Sequence, residues 1–469
     1  MEVPSAEVLA RMPLAQAVLW LWRWVADPEH LDSLFERYRG RCYEKAICFP
    51  TMVQLIADAL LEHQGSGHQS FQRARQSGEL DASLQAAYGK LRRMPIRLSM
   101  GLLSESGDRL RAIYPQKVRR TAPPSLQGMN VVTLDGKAIK RVAKRLKKLR
   151  GVKGGMLGGR ALVAMDFATG LAVAMHADAD GHANDVRFVP DLLPEVRQRI
   201  PGTRLWLADR QFCDLIQMEY FTAGGDHFLV RYNAKVGFHP DPCRLAQEGI
   251  DRQGRRYVEE WGWLGRETHK QRRYVRRITL HRPGEEDVAV VTDLLNSDEY
   301  PAEDLLELYL ERWGIERMFQ QVTEVFGLEA LIGGTPEATV FQFAFCLLLY
   351  NQIQLVRAYV AEQQARDTET ISLEQLYLDV QRELIAWNVV VPTQAAAEYF
   401  PKSTATEVRR RVRNLLKAVW TDRWIKSVNR KRRAHQPKAG ARTHDCVYRI
   451  LRGIQSTSKS RSKSKPKDV

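Results

Sequence analysis

Residues 309–326 read YLERWGIERMFQQVTEVF, a segment in which apolar and polar side chains recur with the period of an α-helix. At about 100° per residue, one face of such a helix is apolar and the adjoining face is polar. The apolar stripe consists of Leu308, Ile315, Phe319, Val322 and Phe326. The polar arc beside it consists of Tyr309, Arg312, Glu316, Gln320 and Thr323. This pattern predicts one continuous amphipathic helix from Tyr309 to Phe326.

The polar arc places a phenol, a guanidinium and a carboxylate along one side of the predicted helix. A carboxylate can bind a cation, whereas the arginine and the tyrosine can both donate hydrogen bonds to a phosphate. The alternative is a surface helix on which Arg312 and Glu316 form an ordinary ion pair one turn apart. The helix taken alone leaves both interpretations open.

Bulk composition points to a polyanionic partner. The 469 residues carry a net charge of +16, and 44% of them are hydrophobic. A chain of this size can bury a core and form two to four domains. A strong excess of basic residues is typical of proteins that bind nucleic acid, although basic proteins without that function share it.

The cysteines and the hydropathy pattern narrow the cellular setting. The six cysteines are scattered and none forms a C-x-x-C pair, which argues against a disulfide framework or a zinc site. No run of about 18 uncharged apolar residues occurs, and no signal-peptide pattern is visible. We therefore expect a cytoplasmic, nucleoid-associated protein that does not span a membrane.

Two short apolar stretches each end in an acidic residue. Residues 130–135 (NVVTLD) predict a strand that ends at Asp135, and residues 205–209 (LWLAD) predict a buried strand that ends at Asp209. A strand that ends in an acid is by itself a weak indication of a site, so the order of the surrounding elements matters.

The elements between and after these acids follow a recognisable order. The predicted strands and helices lie at 130–135, 161–165, 171–175, 185–199, 205–209, 212–221 and 227–232. Strand, hairpin, helix, strand, helix, strand is the order of a ribonuclease-H-like α/β fold. In that fold the first strand and the strand after the first helix run side by side. Asp135 and Asp209 would then meet at one edge of the sheet.

A dense basic run follows the first acid. Residues 137–153 read KAIKRVAKRLKKLRGVK, and they begin with Lys137 and Lys140. Cations beside an acid at a strand end could bind a phosphate backbone. The alternative is a solvated basic loop without a partner.

The motif residues resemble those of a known family. The Tyr-x2-Arg-x3-Glu pattern of Tyr309, Arg312 and Glu316 resembles the YREK signature of DDE transposases from bacterial insertion sequences, in the group named for insertion sequence four. Residues 208–212 (ADRQF) resemble the second-acid motif of that group, written D-R-G-Y or D-R-G-F. The chain departs from both motifs, since Thr323 replaces the lysine of YREK and Gln211 replaces the glycine.

The resemblance implies a metal-dependent enzyme. Two Mg²⁺ ions, for which Mn²⁺ can substitute, would be bound by Asp135, Asp209 and Glu316, because hard cations prefer carboxylate oxygens. The reaction implied is cleavage at transposon ends, followed by strand transfer into target DNA, carried out by a homodimer on paired ends. The residues expected to contact DNA are Tyr309, Arg312, Arg210, Lys137, Lys140, Trp261 and Trp263.

A β-rich insertion is expected between the second and the third acid. Related enzymes carry such an insertion, with a tryptophan that stacks on a flipped base, and Trp261 and Trp263 are the candidates here. The alternative is that both tryptophans simply pack within a sheet.

These expectations divide the chain into six parts. They are a helical DNA-binding region at 1–125, a ribonuclease-H-like core at 126–232 and 287–360, a β-rich insertion at 233–286, a helical region at 361–455 and a disordered basic tail at 456–469. Two other functions remain open: a nuclease of this fold without strand transfer, and a transposase-derived DNA-binding protein that has lost catalysis.

Overall fold

The computed structural model describes most of the chain, namely residues 6–63, 65–140, 142, 144, 146–330, 332–391, 399–426 and 444–454. The predicted tail at 456–469 lies outside the described residues, as do three positions of the basic run at 137–153. The class is α/β, as predicted, with one large mixed sheet and many helices.

The N-terminal part of the described chain is helical. Its helices are α1 (Ala6–Ala10), α2 (Pro13–Val25), α3 (Pro28–Tyr38), α4 (Phe49–Leu61), α5 (Gly67–Gln76), α6 (Leu84–Arg92) and α7 (Ile96–Ala112). Prolines in the first turn of α2, α3 and α4 suit that position, where no backbone donor is needed. The side chains of Ser66 and Ser83 cap α5 and α6.

Twelve strands are seen among the described residues. They are β1 (Asn130–Ala138), β2 (Met156–Leu157), β3 (Arg160–Asp166), β4 (Ala172–Asp178), β5 (Arg204–Ala208), β6 (His227–Arg231), β7 (Phe238–Pro240), β8 (Gln247–Ile250), β9 (Arg256–Leu264), β10 (Arg273–Leu280), β11 (Val288–Thr292) and β12 (Asp445–Cys446). The main sheet has the order β4-β3-β1-β5-β6-β11-β10-β9-β7, with β8 beside β9. The short β2 pairs with β12 in a second sheet.

The centre of the main sheet is parallel and its flanks are antiparallel. Strand β5 runs parallel to both β1 and β6, whereas β3 and β11 are antiparallel to their neighbours. The β-rich segment at 233–286 does not form a separate sheet. Its strands β9 and β10 extend the main sheet, because β11 returns beside β6 and offers its other edge to β10.

Helices α8 (Val189–Arg199) and α9 (Leu215–Thr222) connect the parallel strands. The predicted helix at 185–199 begins as a 3₁₀ turn over Asp185–Phe188, and the Asn184 side chain accepts a hydrogen bond from the Val186 backbone there. Three further corrections concern the elements that carry the acids. Strand β1 does not end at Asp135 but continues to Ala138, because its pairing with β3 extends that far.

The predicted continuous helix at 309–326 is wrong. The segment forms two helices, α10 (Ala302–Leu310) and α11 (Trp313–Glu324), with a tight turn between them. The backbone N–H groups of Arg312, Gly314 and Ile315 bond to carbonyls three residues back, at 3.0–3.2 Å, instead of four. Gly314 faces β3 at this turn, where an added Cβ would lie 3.4 Å from the Met165 side chain.

One long helix organises the remaining core. Helix α12 (Pro336–Gln363) is buried along its whole apolar length and packs against α7 and α11. It is the one helix among the described residues that is long and apolar enough to cross a bilayer, and all of that apolar window is buried inside the protein. It is therefore a core helix, as the sequence predicts. The later helices are α13 (Leu373–Val390), α14 (Ala405–Leu415) and α15 (Val447–Arg452).

The cores of the helical part and of the sheet are joined. Buried side chains of α2, α4 and α7 belong to one hydrophobic cluster with those of α11, α12 and α13. Helix α7 also packs directly on the edge strand β4. The N-terminal helices therefore lie against the element that carries Glu316.

Candidate active site

The first two acids lie side by side in the sheet. In the parallel pairing of β1 with β5, Leu134 is opposite Ala208, so the next residues of the two strands, Asp135 and Asp209, emerge at the same level. Asp209 is the residue at which β5 ends. The expected meeting of these two acids at one edge follows from this register.

The third acid is close enough for its charge to act on the first. The pKa of Asp135 is raised from 3.8 to about 7, chiefly by burial. The Gly136 N–H and the Arg312 charge oppose that shift, whereas the charges of Glu316 and Asp209 add to it. A mutual effect of this kind requires carboxylates in one neighbourhood. The structure thus brings residues of β1, β5 and α11 to a common region.

Arg312 lies at the centre of this region. Its side chain is 4% exposed, and its Nη2 donates to Glu316 Oε1 at 2.7 Å. Its Nε and Nη1 are buried and have no hydrogen-bond partner. A buried guanidinium with two unused donors is costly unless a ligand completes its bonding.

Tyr309 presents a second unused donor. The residue is 3% exposed, and its hydroxyl is buried without a hydrogen-bond partner. Burial raises the pKa of this phenol, so the hydroxyl keeps its proton and can donate it to an oxygen ligand. Tyr309 and Arg312 therefore carry unsatisfied donors beside the three acids, which is where a phosphate oxygen would be stabilised.

The acids have the chemistry of a Mg²⁺ site, but they do not form a metal group in their present positions. Among the described residues, no three His, Cys, Asp or Glu side chains are grouped so that they could hold a metal ion. Glu316 accepts from Arg312, and Asp135 Oδ1 accepts from the Gly136 N–H at 2.8 Å. The donor set still fits Mg²⁺, which takes carboxylate oxygens and retains waters. The raised pKa of Asp135 marks negative charge that a cation would relieve.

The basic candidates differ in their positions. Lys137 reaches across to α11, where its Nζ donates to the Phe319 carbonyl at 3.5 Å and lies 5.6 Å from the Phe319 ring centre. Burial and the nearby Lys140 lower the pKa of Lys137. Lys140 is exposed. Arg210 is half-exposed, with its Nη2 3.7 Å from Glu286.

Thr323 cannot act as the lysine of the YREK signature does. Its hydroxyl donates to the Phe319 carbonyl at 2.6 Å, one turn back on the same helix. The Lys137 ammonium contacts that same carbonyl from β1. A cation is therefore present close to this part of α11, although it comes from another element.

The two candidate tryptophans have different surroundings. Trp261 is fully buried, and its Nε1 donates to the Leu295 carbonyl at 2.9 Å. The expectation that Trp261 contacts DNA is therefore a misassignment, because no base can reach it and its role is packing. Trp263 is 37% exposed, with Arg272 4.3 Å from its ring centre and Tyr274 packed edge-on. Trp263 remains the candidate for base stacking.

Sequence reasoning missed a buried bridge between the loops of the first two acids. Asp185 is fully buried and is held by two donors of Arg160, one of them at 2.5 Å, and by Gln211 Nε2 at 3.0 Å. A Cβ added to Gly136 would lie 2.1 Å from Asp185 Oδ2. The carboxylate thus ties the residue after Asp135 to the loop after Asp209. The glycine directly after the first acid was the available signal.

Comparison with known proteins agrees with this geometry. Residues 127–352 match the family model described as "Transposase DDE domain", a range that holds all three acids, Tyr309 and Arg312. The match supports a DDE transposase. A solved structure titled "Cryo-EM structure of piggyBac transposase synaptic complex with hairpin DNA (SNHP)" is similar at 10% identity over 88% of each chain, with a TM-score of 0.39. No curated protein matches.

Proposed function

We propose that this chain is a DNA transposase of the insertion-sequence-four group, which cleaves transposon ends and joins them to target DNA. The single observation that carries the proposal is the common location of Asp135, Asp209 and Glu316 beside the unpartnered donors of Tyr309 and Arg312. Acids that attract cations and donors that attract phosphate are the two requirements of phosphodiester chemistry. The match to a transposase DDE domain over the same residues agrees with it.

The strand order supports a ribonuclease-H-like core. Strands β4, β3, β1, β5 and β6 are adjacent in that order, with β1, β5 and β6 parallel and a hairpin on the β1 side. This is the arrangement expected from the order strand, hairpin, helix, strand, helix, strand. It accounts for the proximity of Asp135 and Asp209 without any contribution from the long loops.

Each residue of the site has a role in this proposal. Asp135, Asp209 and Glu316 would hold two Mg²⁺ ions, with Mn²⁺ as a substitute. When bound, such ions activate the attacking oxygen and stabilise the leaving one. Arg312 Nε and Nη1 and the Tyr309 hydroxyl would donate to phosphate oxygens. Burial of these donors excludes competing water and strengthens their bonds.

DNA at both transposon ends and target DNA would be the partners, held by a homodimer at the nucleoid. The charge of +16 favours a polyanion. Lys137, Lys140, Arg210 and Trp263 would add contacts around the reacting phosphate. The exposed ring of Trp263 offers a face to a base, since aromatic stacking tolerates any base.

A second function is favoured by one specific observation. The three acids are not grouped as a metal centre in their present positions, and Thr323 replaces a signature lysine. A transposase-derived DNA-binding protein without catalysis would show the same features. A nuclease that cleaves but does not join is the third possibility.

Cleavage of the native flanking DNA separates these functions. The substrate is a duplex taken from the DNA immediately outside the coding frame, here called the flanking duplex, incubated with the full chain and Mg²⁺. We expect nicking and joining to a second duplex, and loss of both in Asp135→Asn, Asp209→Asn and Glu316→Gln. Glu324→Gln, an exposed acid on the same helix, is the matched control. Binding without nicking would contradict the enzymatic proposal, and nicking without joining would contradict strand transfer.

A further inference from the structure

A second basic region lies beside α11, outside the acid site. A cleft of about 950 Å³ is enclosed by the segment at 117–123, by α10 and α11, and by the turn at 365–369. Its cationic lining residues are Lys117, Arg119, Arg120, Arg317, Arg366 and Lys426. They come from four separate stretches of the chain, so no motif in the sequence indicates them. We refer to this region as the basic cleft.

The acids of the cleft do not cancel its charge. Two of them, Glu307 and Glu362, are paired with Arg252 and Arg413, which do not line the cleft. Since those carboxylates are neutralised from outside, the cations of the lining are left in excess. A concave surface with uncompensated positive charge concentrates anions.

Glu369 shows this excess most clearly. Its carboxylate lies 2.8 Å from Arg357, 3.2 Å from Lys426 and 3.9 Å from Arg317. Burial would raise the pKa of Glu369, yet the surrounding Arg357, Lys426, Arg120 and Arg317 hold it far below its usual range. One carboxylate cannot neutralise this many cations, so positive charge remains available to a ligand.

Aromatic rings hold two of the guanidinium groups in place. Arg120 lies 4.3 Å from the ring centre of Phe167, and Arg366 lies 4.7 Å from that of Trp420. Arg119 adds a buried Nε without a hydrogen-bond partner. Stacked cations lose less freedom when they bind, which suits a site for phosphate oxygens.

We propose that the basic cleft binds the sugar–phosphate backbone of duplex DNA at a distance from the reacting phosphate. The inference rests on the proposed function for its choice of DNA as the anion. Arg317 directly follows Glu316 on α11, so a strand that leaves the acid site along this helix meets the cleft. The cleft then holds the flank of the duplex while the acids act on it.

Salt dependence of binding tests this proposal. The change is Lys117→Ala with Arg366→Ala, two exposed cations of the cleft, made in the uncleaving Asp135→Asn full chain. Each phosphate contact contributes about 0.9 to the slope of log K against log salt. We expect the slope for the flanking duplex to flatten by about 1.8 when both cations are removed. The melting temperature should stay unchanged, because both side chains are exposed.

Arg382→Ala is the matched control. Arg382 is 65% exposed and does not line the cleft, and its partner Asp379 keeps Arg423 at 3.3 Å when Arg382 is removed. Its slope should equal that of the parent. An unchanged slope in the double variant, or an equal loss in the control, would overturn the cleft as a DNA site.

The outcomes also separate this inference from the proposed function. If the Asp135→Asn parent fails to bind the flanking duplex, both are overturned. If the parent binds and the double variant binds with the same slope but altered self-association in sedimentation, the cleft contacts protein, and only this inference fails.

Discussion

At the scale of single residues, the acid site is defined by groups whose bonding is incomplete. Arg312 uses one donor on Glu316 and leaves two unused, and the Tyr309 hydroxyl has no partner. Asp135 carries a pKa near 7 because it is buried. Proteins tolerate such groups where a ligand completes them. The predictions at this scale test whether these groups act as the site requires.

Asp135 should make stability depend on pH. Its pKa is 3.8 in an exposed chain and about 7 in the fold, so the folded state binds the proton more tightly. This contribution to the free energy of unfolding is fully present below about pH 4 and is lost as the pH rises through 7. Asp135→Asn lacks it. In urea unfolding with a chelator present, the wild type should lose stability relative to the variant between pH 5 and pH 8. Parallel pH profiles for the two proteins would contradict the assignment.

Arg312 should contribute one phosphate contact. Arg312→Ala removes the two unused donors together with the bond to Glu316. We expect the salt slope of binding to the flanking duplex to flatten by about 0.9 and cleavage to fall at least tenfold. Arg312→Lys should restore the slope better than the cleavage, since lysine keeps the charge and lacks the planar donors. A slope equal to that of the wild type in Arg312→Ala would show that Arg312 does not contact DNA.

At the scale of elements, the site depends on how loops and helices are joined. The break at 311–312 separates Tyr309 on α10 from Glu316 on α11, and the Asp185 bridge joins the loops that follow the first two acids. The order of strands and the positions of Asp135 and Asp209 could be predicted from the sequence, because both follow from short apolar runs. The break could not, since it depends on bonds to the third residue back and on contact with β3.

Gly136→Ala tests the Asp185 bridge. The added Cβ would lie 2.1 Å from Asp185 Oδ2 and would displace a buried carboxylate from Arg160 and Gln211. We expect a loss of roughly 1–3 kcal/mol in the free energy of unfolding, measured in urea. Gly128→Ala is the control, since a Cβ there meets nothing within 4 Å. Equal stability of the two variants would mean that the bridge tolerates displacement.

The two tryptophans of β9 should separate packing from binding. Trp261→Ala removes a fully buried ring and should cost roughly 3–5 kcal/mol of stability. Trp263→Ala removes a ring that is 37% exposed, and it should change stability much less. If Trp263 stacks on a base, its loss should weaken binding of the flanking duplex by roughly 1–3 kcal/mol. Unchanged binding by a folded Trp263→Ala protein would remove this residue from the interface.

At the scale of the whole molecule, the helical part and the sheet act as one body around α11. Its apolar face lies in the helical core with α12, while its polar face is turned toward β1 and β5. The basic cleft illustrates what sequence patterns cannot supply. Lys117, Arg317, Arg366 and Lys426 are far apart in the chain, and only the packing of the helices brings them to one concavity. Asp185 is a similar case, because it lies in a polar stretch that gives no sign of burial.

The most direct test of the central claim counts metal ions. Bound Mn²⁺ is measured by electron paramagnetic resonance on the full chain in complex with the flanking duplex. If Asp135, Asp209 and Glu316 together hold the ions, the wild type and Glu324→Gln should each bind two per chain. Asp135→Asn, Asp209→Asn and Glu316→Gln should each bind fewer. The same number of bound ions in all five proteins would contradict the claim that these three carboxylates form one metal site.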